Sequence, residues 1–210
     1  VTEVPLDDLT DFAGFCDPAS GKQVVVKKNR ARSAIIVVAQ DALTRVYVLM
    51  AWADRVATSK LVERILETVT RYPRLRRFGI EANAMQSLFA DLVIRDAKRI
   101  QQRVALLPVQ QPTRLDKDFR IRTVLQPVIA DGRLLLQAGQ RELRIELESF
   151  PNVMTKDLVD ALASAIRLLP RRAAPQAKQE EALKLAAYLR ETGAPASYIE
   201  QEMVKLGMRA

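Results

Sequence analysis

The chain has 210 residues, 49% of them hydrophobic and 28% charged, with only seven Gly and ten Pro, which excludes a disordered tail or a collagen-like chain. Lys and Arg total 33 against 25 Asp and Glu, a net charge of +8 that favours a polyanionic partner. Histidine is absent and cysteine occurs once, at Cys16, which excludes Ser-His-Asp and Cys-His catalysis, histidine-bound metals, a structural zinc site and an internal disulfide. Any hydrolysis would then run on carboxylates with a hard, oxygen-loving cation. No apolar run approaches the ~20 residues of a membrane helix, and no basic-apolar leader marks secretion, so a reducing compartment and no membrane partner are expected. The first residue is Val1, which suggests a piece of a longer protein or a processed one.

From the N-terminus, the segment 1–11 is acidic and irregular. TDFAGFCDPASG predicts a short strand ending at Asp17, because Pro18, Ser20 and Gly21 are turn residues. The basic run Lys27 to Arg32 leads into SAIIVVAQ and, after a short polar connection, RVYVLMAW; two β-branched runs so joined predict a hairpin covered on both faces. Thr58 is a candidate N-cap for a helix carrying Leu61, Val62, Ile65, Leu66 and Val69 on one face, stopped by Tyr72-Pro73. RRFGIEA reads as a strand, and from Asn83 the residues Met85, Leu88, Phe89, Leu92, Val93 and Ile100 line a long helix before a strand at VALLPVQ (104–110). This βαβα alternation predicts an α/β fold with parallel strands.

A polar loop and a helix through Ile121 and Leu125 follow, then a Gly132 turn into Leu134 to Leu136. RELRIELESFP is a short helix or an extended piece. Thr155 is a candidate cap for a helix burying Leu158, Leu162, Ile166 and Leu169. PRRAAPQAKQ reads as a linker, after which one helix ends at Gly193 and another starts at a Ser197 to Glu200 capping box. These boundaries give a domain over 1–170 and a helical extension over 171–210.

Three acidic positions stand where an α/β sheet exposes functional groups. Asp17 ends the first strand, Glu81 ends the strand RRFGIE, and Asp157 and Asp160 are three apart in the first turns of a helix, on one face. Singly, each has a plain structural reading as a turn starter, a solvated strand end or a dipole partner. Brought together they would repel one another, and divalent cations would relieve that repulsion. Two such ions about 3.5–4 Å apart activate water and stabilise the leaving oxygen of a phosphodiester. No Gly-x-x-x-x-Gly-Lys-[Ser/Thr] phosphate loop is present, so the chain is not an ATPase motor.

The stretches FCDPASG with SAIIVVAQD, RVYVLMAWADR, FGIEANAMQ, LDKDFRIRTVLQPVIADGRLLL and LESFPNVMTKDLVDALASAI span most of residues 10–168. In that order they resemble the C-terminal nuclease domain of viral large terminases, the motors that package and cut concatemeric DNA in tailed bacteriophages. The resemblance implies an RNase H-like fold, a central mixed β-sheet flanked by α-helices. It also implies a nuclease that cuts double-stranded DNA with two Mg²⁺ or Mn²⁺ ions held by Asp17, Glu81, Asp157 and Asp160. It places Lys117 near the active site. Implied partners are an ATPase domain of the same polypeptide, portal protein and the small terminase subunit, in the cytoplasm of an infected bacterial cell. Many relatives carry His-Asp-Asp-x-x-Asp where this chain has Thr155-Lys156-Asp157-Leu158-Val159-Asp160, so Lys156 either weakens the second metal position or contacts a DNA phosphate. Asp157 ranks above Asp160 for direct metal contact. Lys27, Lys28, Arg30 and Arg32 are candidates for gripping the phosphate backbone without reading bases, beside a plain role as a solvated loop. The two C-terminal helices either dock on portal or another subunit, or simply cap the domain. Another RNase H-like enzyme, such as a junction resolvase or recombinase, and a non-catalytic DNA-holding module are the rival functions.

Overall fold

In the computed structural model, residues 4–19, 32–82, 87–99, 106–111, 116–170 and 184–205 are described. The chain divides into two compact units, Val1–Pro170 and Arg171–Ala210.

The first unit is built on a six-stranded mixed sheet in the order β5-β4-β1-β2-β3-β6. A single 3-10 turn at Leu6–Asp8 leads into β1 (Leu9–Asp17). β1 pairs antiparallel with β2 (Ser33–Asp41), which pairs antiparallel with β3 (Val46–Asp54), so the expected hairpin is present. Its turn places Thr44 at φ +62°. β4 (Arg77–Glu81) and β5 (Leu106–Val109) add parallel strands on the other side of β1, and β6 (Leu134–Leu135) pairs parallel with β3. Every residue of β2 is buried, as expected for the interior of a sheet covered on both faces.

Strand alternation sorts the core. Phe15, Ala34, Ile36 and Val48 face one side, where α3 (Lys117–Ala130), α4 (Arg141–Ser149) and α5 (Asp157–Leu168) pack through Ile121, Leu125, Leu143, Leu158 and Leu162. Cys16, Ile35, Phe78 and Ile80 face the other, against Leu61, Val62 and Ile65 of α1 (Thr58–Arg71) and Val93 of α2 (Ser87–Arg99). Cys16 is fully buried. The segment RELRIELES, open between two readings in sequence, is helical, with Leu143 and Glu146 on its buried face. Asn83, Met85, Ile100 and Val104, and the side chains of Leu88 and Phe89, lie outside the described residues.

Three caps differ from the sequence expectation. Thr58 is the first helical residue of α1, with Ala57 at the N-cap and no side-chain cap bond, so the chain turns one residue earlier. Thr155 does not cap α5 either. Lys156 occupies that position, and the Thr155 hydroxyl donates to Glu146 Oε1 at 3.1 Å. In the second unit, a helix (α6) is described over 184–191, closed by Gly193 at φ +78°, a left-handed conformation that glycine adopts freely. The following helix, α7 (Ala196–Lys205), opens with the Pro195 carbonyl accepting from Ile199 N–H, which puts Ser197 inside the helix rather than at its cap. The linker segment 171–183 lies outside the described residues, and among the described residues no helix is long and apolar enough to cross a membrane.

Candidate active site at the carboxyl edge of the sheet

The site follows from register. β1 and β4 run parallel with Cys16 opposite Ile80, so the next step along each strand sets Asp17 beside Glu81. Cys16 and Ile80 point to the α1–α2 face, so alternation turns Asp17 and Glu81 to the opposite face, the one α5 covers. α5 runs back along β4: the carbonyl of Leu168 near its C-terminus accepts from Arg77, the first residue of β4, at 2.8 Å. Its N-terminus therefore lies over the carboxyl ends of β1 and β4, with Asp157 and Asp160 in its first turn.

Asp17 and Glu81 carboxyls are within hydrogen-bonding reach of each other. Burial first, then the Glu81 hydrogen bond and charge and the Asp160 charge, push Asp17 well above the ordinary carboxylate range, against the opposing pull of Lys117. Burial, aided by the negative charges of Asp17 and Glu81, also raises the Cys16 thiol well above its usual value, which keeps it protonated and unreactive. A proton on Asp17 or an external cation relieves the repulsion here.

The two aspartates of α5 differ. Asp160 is 4% exposed; Arg120 of α3 bonds both its oxygens at 2.8 and 3.1 Å, and Lys117 Nζ lies 3.0 Å from Oδ2. Asp157 is less buried, and its Oδ2 accepts from Arg32 Nε at 3.3 Å. The Asp160 charge bears on Asp17, and the charges of both Asp160 and Asp157 bear on Lys117. Burial pulls Lys117 down, but the charge and hydrogen bond of Asp160 and the charges of Asp17 and Asp157 outweigh it, so the ammonium is held above its usual value.

Sequence reasoning singled out neither Gln111 nor Glu146, and it noted Arg120 only as a basic residue near the site. Arg120 grips Asp160 and also bonds Gln111, whose amide donates to Ser164 of α5 at 2.9 Å. Glu146 of α4, 3% exposed, accepts from the backbone N–H of Leu158 and Val159 at 2.9 and 3.1 Å. Burial raises its carboxyl, though the Val159 N–H, the Thr155 hydroxyl and Arg32 oppose that rise. No local signal marks Glu146 out, because its backbone partners are 12 and 13 residues away and only the fold brings them close.

Of the basic candidates, Arg32 bonds Glu142, Glu146 and Asp157, and Lys156 bonds both oxygens of Asp118 at 2.7 and 2.6 Å while lying over the Phe150 ring. Lys156 is thus directed to α3. Lys117 keeps a side chain 46% exposed beside the acidic cluster. Lys27, Lys28 and Arg30 lie outside the described residues.

Among the described residues, no group of three or more Cys, Asp or Glu side chains is drawn together as a ready cation cage. The donor chemistry still suits a hard cation: two oxygen-only carboxylates press against each other, with a third carboxylate in electrostatic reach whose oxygens are engaged by Arg120 and Lys117.

The terminase RNase H-like domain family matches residues 15–169. The chain belongs to that family. The matched segment runs from the residue before Cys16 to the end of α5 and so contains all four acidic positions. No curated protein matches the chain. Among solved structures, the terminase nuclease domain of human cytomegalovirus, soaked in Mn, aligns with TM-score 0.57 at 11% identity, covering 79% of this chain and 86% of that one. The same domain with Mn and an inhibitor aligns with TM-score 0.55 at 12% identity over the same shares. A RuvC from T. thermophilus bound to a Holliday junction substrate aligns with TM-score 0.42 at 14% identity, covering 74% of this chain and 90% of that one. The family match and the two cytomegalovirus alignments give residues 15–169 the RNase H-like fold of terminase nuclease domains.

Proposed function

We propose that residues 1–170 are a divalent-metal-dependent DNA endonuclease, the nuclease part of a viral terminase large subunit, and that it cleaves concatemeric double-stranded DNA with little sequence preference. The observation that carries this reading is the Asp17–Glu81 pair on adjacent strand ends, under the charge of Asp160 on α5. Asp17 and Glu81 would hold one Mg²⁺ or Mn²⁺; Asp157, through the oxygen that Arg32 does not bond, or Asp160, after exchanging its Arg or Lys partner, would complete the position of a second. Cations held by these carboxylates would supply the activation of a water and the charge to offset that on the departing 3′ oxygen of the phosphodiester.

The chain's own groups do the rest. The exposed half of Lys117 attracts an incoming phosphate to the carboxylates. Arg120 fixes Asp160 from behind, and the buried, protonated Cys16 adds no competing nucleophile. Lys27, Lys28 and Arg30 are proposed to hold backbone phosphates farther along the duplex, and because phosphates carry no sequence information, cutting would be unselective. Family membership supports an ATPase domain in the same polypeptide, portal and small terminase subunit as partners, in the cytoplasm of an infected cell.

The test is plasmid cleavage with Mn²⁺ or Mg²⁺. Asp17→Asn and Glu81→Gln are expected to fold and to lose divalent-dependent cutting; full activity in either rejects the assignment. Cleavage of four-way junctions alone, with linear and supercoiled duplex spared, would favour a resolvase. An inactive wild type that still binds DNA in a salt-sensitive way would favour a DNA-holding module.

A further inference from the structure

The geometry points to Glu146 as a positioning residue for the α5 carboxylates, acting with Arg32, whose role is then internal bracing rather than phosphate contact. This inference rests on the nuclease reading above.

An α-helix begins with four backbone N–H groups that lack intrahelical partners, and a local Ser, Thr, Asp or Asn usually serves them. α5 has none: Lys156 sits at its N-cap, and its side chain makes no cap bond to the helix. Glu146 replaces the local cap from a different helix, its Oε2 accepting from Leu158 N–H at 2.9 Å and Val159 N–H at 3.1 Å. Its other oxygen accepts from the Thr155 hydroxyl at 3.1 Å and from Arg32 at 2.7 Å. One buried carboxylate thus makes four hydrogen bonds, all but one of them to the segment 155–159 that carries Asp157.

Arg32 extends the brace to β2, the strand paired with the one that bears Asp17. Its Nε bonds Asp157 and its NH2 bonds Glu146, so the planar guanidinium sets the two carboxylates at a fixed spacing. Arg32 immediately precedes β2, where Ala34 is the register partner of Asp17. Ser33 Oγ accepts from Ala19 N–H at 3.0 Å, tying down the turn that follows Asp17. A continuous path therefore runs from Asp17 through Ser33 and Arg32 to Glu146 and the first turn of α5. Each residue of slip or fraying in that turn would displace Asp157 and Asp160 by about 1.5 Å along the axis and about 100° around it. The Arg32 side chain is 15% exposed, which leaves it poorly placed for an incoming phosphate.

The experiment uses the full chain with Glu146→Gln, Arg32→Lys and, as a control, Asp17→Asn. Plasmid cleavage under Mn²⁺ is measured alongside direct Mn²⁺ binding by calorimetry in the absence of DNA, at a temperature where circular dichroism shows each variant folded. Glutamine keeps the volume of Glu146 but offers one acceptor oxygen, and lysine cannot bridge two carboxylates in one plane. Both are expected to lower kcat and Mn²⁺ affinity by about 10–100-fold while leaving KM for DNA within about twofold of wild type. Should Glu146→Gln not fold, Arg32→Lys carries the test alone. Cleavage and Mn²⁺ binding unchanged in a folded variant overturn the inference, as does an Arg32→Lys variant that raises KM and leaves kcat untouched, the pattern of a lost phosphate contact. Full cleavage by Asp17→Asn overturns the nuclease reading itself.

Discussion

Asp160 and Asp17 are both candidate ligands, yet their stability effects should differ in sign, and Asp160→Ala tests the reasoning most directly. Its carboxylate is 4% exposed and faces the Arg120 guanidinium, 11% exposed in its side chain, through contacts of 2.8 and 3.1 Å. Removing one partner of such a pair leaves the other charge buried without compensation, at a cost of about 3–5 kcal/mol. Gln111 continues to bond Arg120, which argues for the lower end, about 3 kcal/mol. The Lys117 contact, to a side chain 46% exposed, adds less than about 1 kcal/mol. For a domain of this size the midpoint should fall by about 6–12 °C. Urea unfolding followed by circular dichroism, in chelator so that no cation contributes, gives the value. Arg120→Leu placed on top of Asp160→Ala should recover most of the loss, since the stranded guanidinium is gone. A loss below about 1 kcal/mol for Asp160→Ala, or a double variant whose losses simply add, would refute the argument.

The remaining predictions concern the strand ends and the core. Asp17→Asn should be at least as stable as wild type near neutral pH in chelator, because the folded carboxyl binds its proton more tightly than the unfolded one. Its contribution is present below the unfolded value near 3.8 and is lost as pH rises through the raised folded value, so the variant should flatten that limb of a stability–pH series. A steeper fall in the variant would contradict the raised carboxyl. Gly79→Ala should cost about 1–3 kcal/mol, since its Cβ would stand 2.8 Å from Leu168 Cδ1 and Phe15 Cδ2 and 2.9 Å from Val109 Cγ2. Cleavage should fall with it, because the strained residue is two before Glu81; a thermal melt and a plasmid assay on one preparation check both. Leu162→Ala, at a fully buried position of α5, should cost about 2–5 kcal/mol in denaturant unfolding while sparing the acidic residues.

Local chemistry alone determined a good share of this protein. The β-branched runs around Ile35 and Val48 force strands, the spacing of Leu61, Ile65 and Leu158 forces amphipathic helices, and Pro18 ends β1 just after Asp17. Those signals depend on neighbours within a turn or two, so they survive without knowledge of the fold, and they placed Asp17 and Glu81 at strand ends. Tertiary structure decided which strands became neighbours, setting β4 against β1 so that the two acids met. It also decided that Arg120 would hold Asp160 while Arg32 holds Asp157, that Lys156 would turn to Asp118, and that the cap of α5 would come from Glu146. Arg32 and Glu146 meet across 114 positions of chain. Contacts of that span leave no periodic trace in sequence, because their energy depends on burial and geometry that exist only once the sheet has brought the helices together.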